Sequence, residues 1–375
     1  MIKDKIIEYR RHIHQNPEIG FNTKNTNNYV MNILKNLGYK VTPVLNGAGC
    51  IASLDLNKET TIGFRSDLDA LPIKEQTNLP FKSENGNMHA CGHDAHIAIL
   101  LGAANLFILH KNELKYNIVL VFQPAEEGPL PGGAINIIKE YDLSNVKFFF
   151  AYHVTNKLFT GQIGIKAHEA CAAPDLWELE IVGKGCHAST PHLGKNPIIP
   201  ASIIVEKFQE LHNKLKDNHI VISTTFIQSG VSMNIITDKC LLKGTARSFT
   251  KEQRDYLNSQ MYQIIEETCK TYKVEFKFSF HYAYDPVYND DIAISMVKKA
   301  AAKVLDSKDI ISLEQPEMVG EDFSYYRKNS QICLTWLGVR AINEPFYDLH
   351  SANFLLDENA LLNGSLILLN IALGN

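Results

Sequence analysis

Residues 88–96, MHACGHDAH, place His89, Cys91, His93, Asp94 and His96 within eight positions. A thiolate, imidazoles and a carboxylate in so short a run are donor types that first-row divalent metals take. Further donors lie elsewhere in the chain: Asp67 and Asp69 in SDLDALPI, the adjacent pair Glu126 and Glu127 in PAEEG, His153 in FAYHV and His350 in LHSANF. Cys91, His93, Glu127, His153 and His350 together offer soft, borderline and hard ligands. They suffice for one metal with three or four protein contacts or for two metals sharing a water. A divalent ion polarises a carbonyl and lowers the pKa of its water, so amide hydrolysis at neutral pH is the chemistry this set suits. One of the two adjacent glutamates can bind metal while its neighbour serves as general base, and spacing does not decide which. Asp69 reads either as the cap of a turn or as a carboxylate that receives the second ring N–H of a ligating histidine. Arg247 in GTARSF can meet a substrate carboxylate through a bidentate contact. His187 in GKGCHASTPH either closes a loop or stabilises an oxyanion.

These side chains need elements to carry them. DAHIAILLGAANLFILH, 94–110, sets Ile97, Leu100, Leu101 and Ala104 at helical spacing and offers Asp94 as a cap for the first turn, so the cluster sits where a loop enters a helix. TIGFR (61–65), NIVLVFQ (117–123) and KFFFAYHV (147–154) read as apolar strands that deliver Asp69, the two glutamates and His153 at their C-terminal ends. Near-continuous apolar strands separated by helices indicate a mostly parallel sheet covered on both faces. Such sheets keep their chemistry in the crevice beyond the carboxyl ends of the strands. From about Ala173 the pattern changes. WELEIVG, a helix from about Pro197 to Leu211, HIVISTTFIQ, CLLKGTARSF, a helix over Lys251 to Thr271 and VEFKFSF follow the β-α-β-β-α-β order of a ferredoxin-like domain. The expected architecture is an α/β metal-binding catalytic domain over 1–172 and 284–375, with a mostly parallel central sheet. A ferredoxin-like α+β domain over 173–283 is inserted into it.

A formal charge of −4, from 37 basic and 41 acidic residues, gives no electrostatic case for nucleic acid or an anionic membrane. No run of eighteen apolar residues occurs, and the opening MIKDKIIEYRRHIHQ is amphipathic rather than leader-like, so cytoplasm is the expected compartment. Seven scattered cysteines with no CxxC pair suit reduced thiols better than a disulfide framework.

In their order and spacing, RRHIHQNPEIGF (10–21), SDLDALPI (66–73), MHACGHDAH (88–96), FQPAEEG (122–128), GKGCHASTPH (183–192), GTARS (244–248), GEDF (320–323) and LHSANF (349–354) resemble the M20 metallohydrolases. The similarity is to the amidohydrolase branch of hippurate, auxin-conjugate, N-acetyldiaminopimelate and N-acyl-amino-acid hydrolases. The resemblance implies that Cys91, His93, Glu127, His153 and His350 hold two divalent ions per subunit, of Zn, Mn, Co or Ni. It implies that Glu126 is the base, that Asp69 supports the metal site, and that His187 assists at the scissile carbonyl, often in the partner's site. Asn234 and Arg247 become substrate contacts, and the inserted domain becomes a lid through which a homodimer, or a tetramer, forms. The implied activity is hydrolysis of small N-acyl-L-amino acids. N-acetyldiaminopimelate deacetylation and dipeptidase or aminopeptidase activity are the alternatives within the clan, and a non-catalytic metal-dependent binding protein is the alternative outside it. The chain departs from the family pattern at Ala352, where proline is common after His-Ser, at GPLPGGA after the glutamates, and at Cys186 and Thr237.

Overall fold

The apolar strand Thr61–Asp67 is buried at every position, as a strand covered on both faces must be. It lies near the middle of an eight-stranded sheet in the computed structural model, which describes residues 1–375. It pairs in parallel with Asn117–Gln123 on one side and Val146–Phe159 on the other, and Val146–Phe159 pairs in parallel with Gln331–Arg340. Antiparallel strands complete the margins: Gly49–Leu54 and Lys40–Val44 beyond Asn117–Gln123, and Ile163–Lys166 beyond Gln331–Arg340. A last strand, Ile310–Leu313, runs parallel to Ile163–Lys166. These two four-residue strands, like the short helix Ala134–Glu140, are too brief to leave a periodic signal in the sequence.

The helix His93–Leu109 has no solvent face over His93 to Phe107, consistent with a sequence apolar all the way round. It packs against the first helix, Ile2–Gln15, and the last, Ala360–Leu373. Gly102 is required there, because a Cβ would stand 2.5 Å from Ser365 Oγ and 2.6 Å from Ile6 Cδ1. The helix begins one residue earlier than its sequence suggests, and Asp94 makes no capping bond. Its carboxylate instead accepts from Arg10 Nε at 2.7 Å and His14 Nδ1 at 2.8 Å. Both bonds go to Oδ2 and leave Oδ1 buried without a partner, so this carboxylate serves Arg10 and His14 rather than the helix N-terminus.

The chain divides into two compact units: Met1–Ala170 with Tyr288–Pro316 and Asp322–Asn375, and Cys171–Val287 with Glu317–Glu321. The second unit has its own four-stranded antiparallel sheet, ordered Val221–Ser229, Lys239–Ser248, Ala173–Val182, Glu275–His281. With the helices Ile198–Leu215 and Lys251–Tyr272 this gives the β-α-β-β-α-β sequence of elements. Trp177, Leu179, Phe208, Leu257, Met261 and Ile265 form its core. Thr250 caps the second helix by accepting from Gln253 N–H at 3.1 Å. The segment Glu317–Glu321 is tied to this unit through Ala172 N–H, which donates to the carbonyls of Glu317 and Val319. No helix is long and apolar enough to cross a membrane.

Candidate metal centre

Gly92 starts the geometry of the centre. It takes φ +83° immediately before the helix, and a Cβ there would lie 2.2 Å from Val154 Cγ2, so only glycine allows the loop to turn this close to the strand. Val146–Phe159 loses its pairing with Thr61–Asp67 after Ala151 but keeps Gln331–Arg340 through Phe159. His153 therefore lies within a strand longer than its apolar run suggests, yet beyond the end of one neighbour. In that opening Val154 N–H donates to His96 Nε2 at 2.9 Å, while His96 Nδ1 donates to Asp67 Oδ1 at 2.6 Å. Both ring nitrogens of His96 are thus engaged in holding the helix entry to the sheet.

The other two histidines are set up differently. His93 Nδ1 donates to the Asp69 carbonyl at 2.7 Å, and His153 Nδ1 donates to the Val154 carbonyl at 2.8 Å. Each bond fixes the tautomer and leaves the Nε2 lone pair turned elsewhere. His153 Nε2 is 3.4 Å from Cys91 Sγ, and His350 Nε2 is 3.3 Å from the same sulfur. His350 is carried with φ +65°, its N–H donating to the Ala90 carbonyl at 2.9 Å, and its Nε2 is 3.1 Å from Glu127 Oε1. Two groups of donors therefore share Cys91, namely Cys91, His93, His153 and Cys91, Glu127, His350, with the ligand atoms of each within 4.8 Å.

The glutamate turn is clamped from below. Asp69 Oδ1 accepts from Glu126 N–H and Oδ2 from Glu127 N–H, both at 3.0 Å. Ala125, just before, adopts φ +58°, a strained conformation that such a clamp can hold. Glu126 Oε2 stands 4.0 Å from His93 Nε2. The sequence leaves Asp69 as either the cap of a turn or a carboxylate that receives a histidine N–H, and its two bonds to the glutamate main chain make it the cap of this turn. The His93 ring bond goes to the Asp69 main-chain oxygen, with the carboxylate 3.8 Å away.

Electrostatics mark the place as one that calls for cations. Burial pushes the His93 pKa down, but Asp67, Asp69 and Glu127 outweigh it and hold it up to about 10. Burial and then Glu127 and Glu126 push the Cys91 thiol well above its ordinary range. Burial also opposes ionisation of Glu127, yet His350, His93 and Cys91 hold it down to about 2. His153 is kept neutral, at about 3, by burial and by His96 and His93. His93 Nε2 is buried without a hydrogen-bond partner, an arrangement that costs stability unless something binds there. A buried imidazole nitrogen left without a partner beside a thiol, two further imidazoles and a carboxylate is a donor set that fits divalent metal.

Sequence reasoning gives no role to Arg65, Gln123 and Asp322, which stand behind this set. Arg65 donates to Asp67 Oδ2 at 2.7 Å and to Asp322 Oδ1 at 2.8 Å, and Asp322 also accepts from Gln123 Nε2 and Ala134 N–H. Burial opposes the Asp67 carboxylate, but His93, His96 and Arg65 keep its pKa well below the usual range. A charged residue inside an otherwise apolar strand, as Arg65 is in TIGFRSD, is the signal that exposes it.

Arg247, His187 and Asn234 belong to the second unit. His187 Nδ1 accepts from Ser189 N–H at 3.1 Å and lies 2.7 Å from Ser189 Oγ, so the proton of a neutral ring resides on Nε2. Ala188 N–H donates to the Asn234 carbonyl at 3.0 Å, which keeps His187 and Asn234 together. Arg247, half-buried, donates to the Ala246 carbonyl at 3.2 Å and to Thr245 Oγ1. It lies near the far end of the strand Lys239–Ser248, about 26 Å along it from the end nearest Asn234 at ~3.3 Å per residue.

The sequence pattern of peptidase family M20/M25/M40 matches residues 63–374. The chain belongs to that family. Among its relatives in the M20 group, an N-acetyl-L-cysteine deacetylase from Bacillus subtilis (strain 168) is 32% identical over 371 residues, covering 98% of this chain and 87% of that one. An N-acetyldiaminopimelate deacetylase from Leuconostoc citreum (strain KM20) is 32% identical over 369 residues, covering 95% and 92%. A solved structure from Bacillus subtilis, a dinuclear metal-binding peptidase of the M20 family, matches with a TM-score of 0.86 at 31% identity, covering 99% of this chain and 98% of that one. The present M20 chain is a hydrolase of amide bonds, with donor groups suited to divalent metal.

Proposed function

We propose that this chain hydrolyses the amide bond of N-acyl-L-amino acids, giving a carboxylic acid and a free amino acid. The observation that carries the reading is the pair of donor groups sharing Cys91, set beside a glutamate turn whose main chain is clamped by Asp69. Cys91, His93, His153, Glu127 and His350 would hold two divalent ions, which supply carbonyl polarisation and a water of lowered pKa. Glu126 takes a proton from the attacking water and returns it to the leaving amine nitrogen. The Asp69 clamp keeps that carboxylate aimed while its charge changes. His187, with its proton on Nε2, is the donor assigned to the developing oxyanion.

Arg247 is assigned the substrate carboxylate, since a guanidinium forms a paired contact with it. Arg247 lies about 26 Å along its strand from Lys239, the end that follows Asn234 in sequence, at ~3.3 Å per residue, a span longer than an acylated amino acid, which favours a homodimer in which His187 and Asn234 serve the partner subunit's site. Arg247→Ala is expected to raise KM about tenfold or more for substrates with a free carboxylate, equivalent to the ~1.5–3 kcal/mol of a charged hydrogen bond, with kcat less affected. An unchanged KM would remove that role.

The reaction itself is tested by measuring free amino acid released from N-acetyl, N-benzoyl and longer N-acyl amino acids, N-acetyldiaminopimelate and dipeptides. The assay is run on chelated protein and again after adding Mn²⁺, Zn²⁺, Co²⁺ or Ni²⁺. Metal-restored cleavage of an acyl amino acid is expected. Cleavage confined to substrates with a free α-amino group would replace this reading with a peptidase. Activity on N-acetyldiaminopimelate alone would narrow it to that deacetylation.

A further inference from the structure

The loop that carries His350 is held at both ends by one buried side chain. Asn156 Nδ2 donates to the Tyr347 carbonyl at 2.8 Å and to the Leu355 carbonyl at 3.0 Å. His350 lies between these two points. Because both partners are carbonyls, the amide must present its NH₂ group to them. Asn156 is 3% exposed, and its own Oδ1 is buried with no hydrogen-bond partner. A buried orphan acceptor is destabilising, and the fold accepts it in keeping the two bonds to this loop. The loop needs such ties. Residues 347–355 contain no proline, His350 is held at φ +65°, and its side chain is 51% exposed, so little packing fixes the ring. The other anchors are the His350 N–H to the Ala90 carbonyl, the Gln76 N–H to the Ala352 carbonyl, and the buried ring of Phe354. None of them joins the two ends.

We propose that Asn156 is a positioning residue for His350, and that it sets the affinity of the ion held by Cys91, Glu127 and His350 while leaving the Cys91, His93, His153 group unaffected. Asn156 and His153 lie on the same strand, three residues apart, so one element delivers a donor to the first group and fixes the loop bearing a donor of the second. Nine loop residues would otherwise have to be ordered each time the ion is bound. The proposal rests on the reading of these two groups as separate ligand sets.

The test is a titration of the metal-free full-length protein with Co²⁺, followed by visible absorbance, for wild type, Asn156→Ala, His350→Ala and the double variant. Wild type is expected to bind two equivalents. Asn156→Ala should bind one as wild type does and the other about tenfold or more weakly, within the range seen when support behind a metal ligand is lost. In the His350→Ala background the Asn156→Ala change should have no further effect on the remaining ion, because the two substitutions act through one side chain. Unaltered binding of both ions by Asn156→Ala would overturn the proposal. Equal weakening of the ion left in His350→Ala would overturn it too, by placing the effect on His153. Thermal unfolding of the metal-free proteins guards the result: an Asn156→Ala protein that is already unfolded would assign Asn156 to the fold and overturn the positioning role. Fewer than two equivalents in wild type would instead defeat the two-ion reading itself.

Discussion

Glu126→Gln is expected to lower turnover by about 10²–10⁴-fold, the range that positioned general bases contribute, with no change in bound metal. The amide keeps the length and volume of the glutamate. Its main-chain N–H can still donate to Asp69 Oδ1, because the clamp at 3.0 Å is made by the backbone of the turn and not by the side chain. Glu127, whose N–H is held by the other Asp69 oxygen, therefore stays in place beside His350. Only the ability to accept and return a proton is lost. Glu127→Gln should behave differently, reducing metal content, since its carboxylate is grouped with the Cys91 thiol and His350, a group that does not include Glu126. Turnover measured on an N-acyl amino acid, together with elemental analysis of the purified proteins, separates the two. A Glu126→Gln enzyme with near-normal turnover would place the base elsewhere.

The contrast between these neighbours shows how far the sequence could be read. Adjacent carboxylates past an apolar strand announce a division of labour, yet which one faces the donors depends on the turn, and the turn is shaped by Asp69 from 57 residues away. The sheet was legible for a simpler reason. Ile118–Phe122 and Phe148–Phe150 are apolar on both faces because both faces are covered, and periodicity records that directly. The helix after the metal cluster is legible in the same way. Its cap was not, since Asp94 is claimed by Arg10 and His14 from another helix, and a local pattern carries no trace of a distant cation. His14 makes the same point. Both ring nitrogens face carboxylates, Asp94 at 2.8 Å and Glu75 at 3.1 Å, and although burial and Arg10 push its pKa down, these partners raise it above the ordinary value. In RRHIHQNPEIGF that histidine is indistinguishable from a surface one. Chemistry-bearing residues were visible where several donor types crowd together. The supports behind them were not, because their partners lie far off in sequence.

Cys91→Ala should have the largest effect on metal binding, because Cys91 is common to both donor groups. Removing it leaves two of the three donors in each, fewer than the three or four that protein sites for such ions use. Affinity for both ions is expected to fall by more than the ~10–100-fold typical of losing an outer support, and the purified protein should carry little metal. His153→Ala should weaken the ion shared with Cys91 and His93. His350→Ala should weaken the ion shared with Cys91 and Glu127. Truncation to alanine removes a single sulfur, while the loop around it is fixed independently by Gly92 at φ +83° and by the His350 N–H to the Ala90 carbonyl. The metal-free fold should therefore survive. Anything that binds only the native state raises its stability by mass action, so wild type should gain in Tm when Zn²⁺ or Co²⁺ is added back to chelated protein. Cys91→Ala should lose that gain while matching wild type in the chelated state. Two ions retained by Cys91→Ala, or a full thermal gain on metal addition, would mean that the groups do not depend on the thiol they share, and the two-ion arrangement would have to be built from the carboxylates and imidazoles alone.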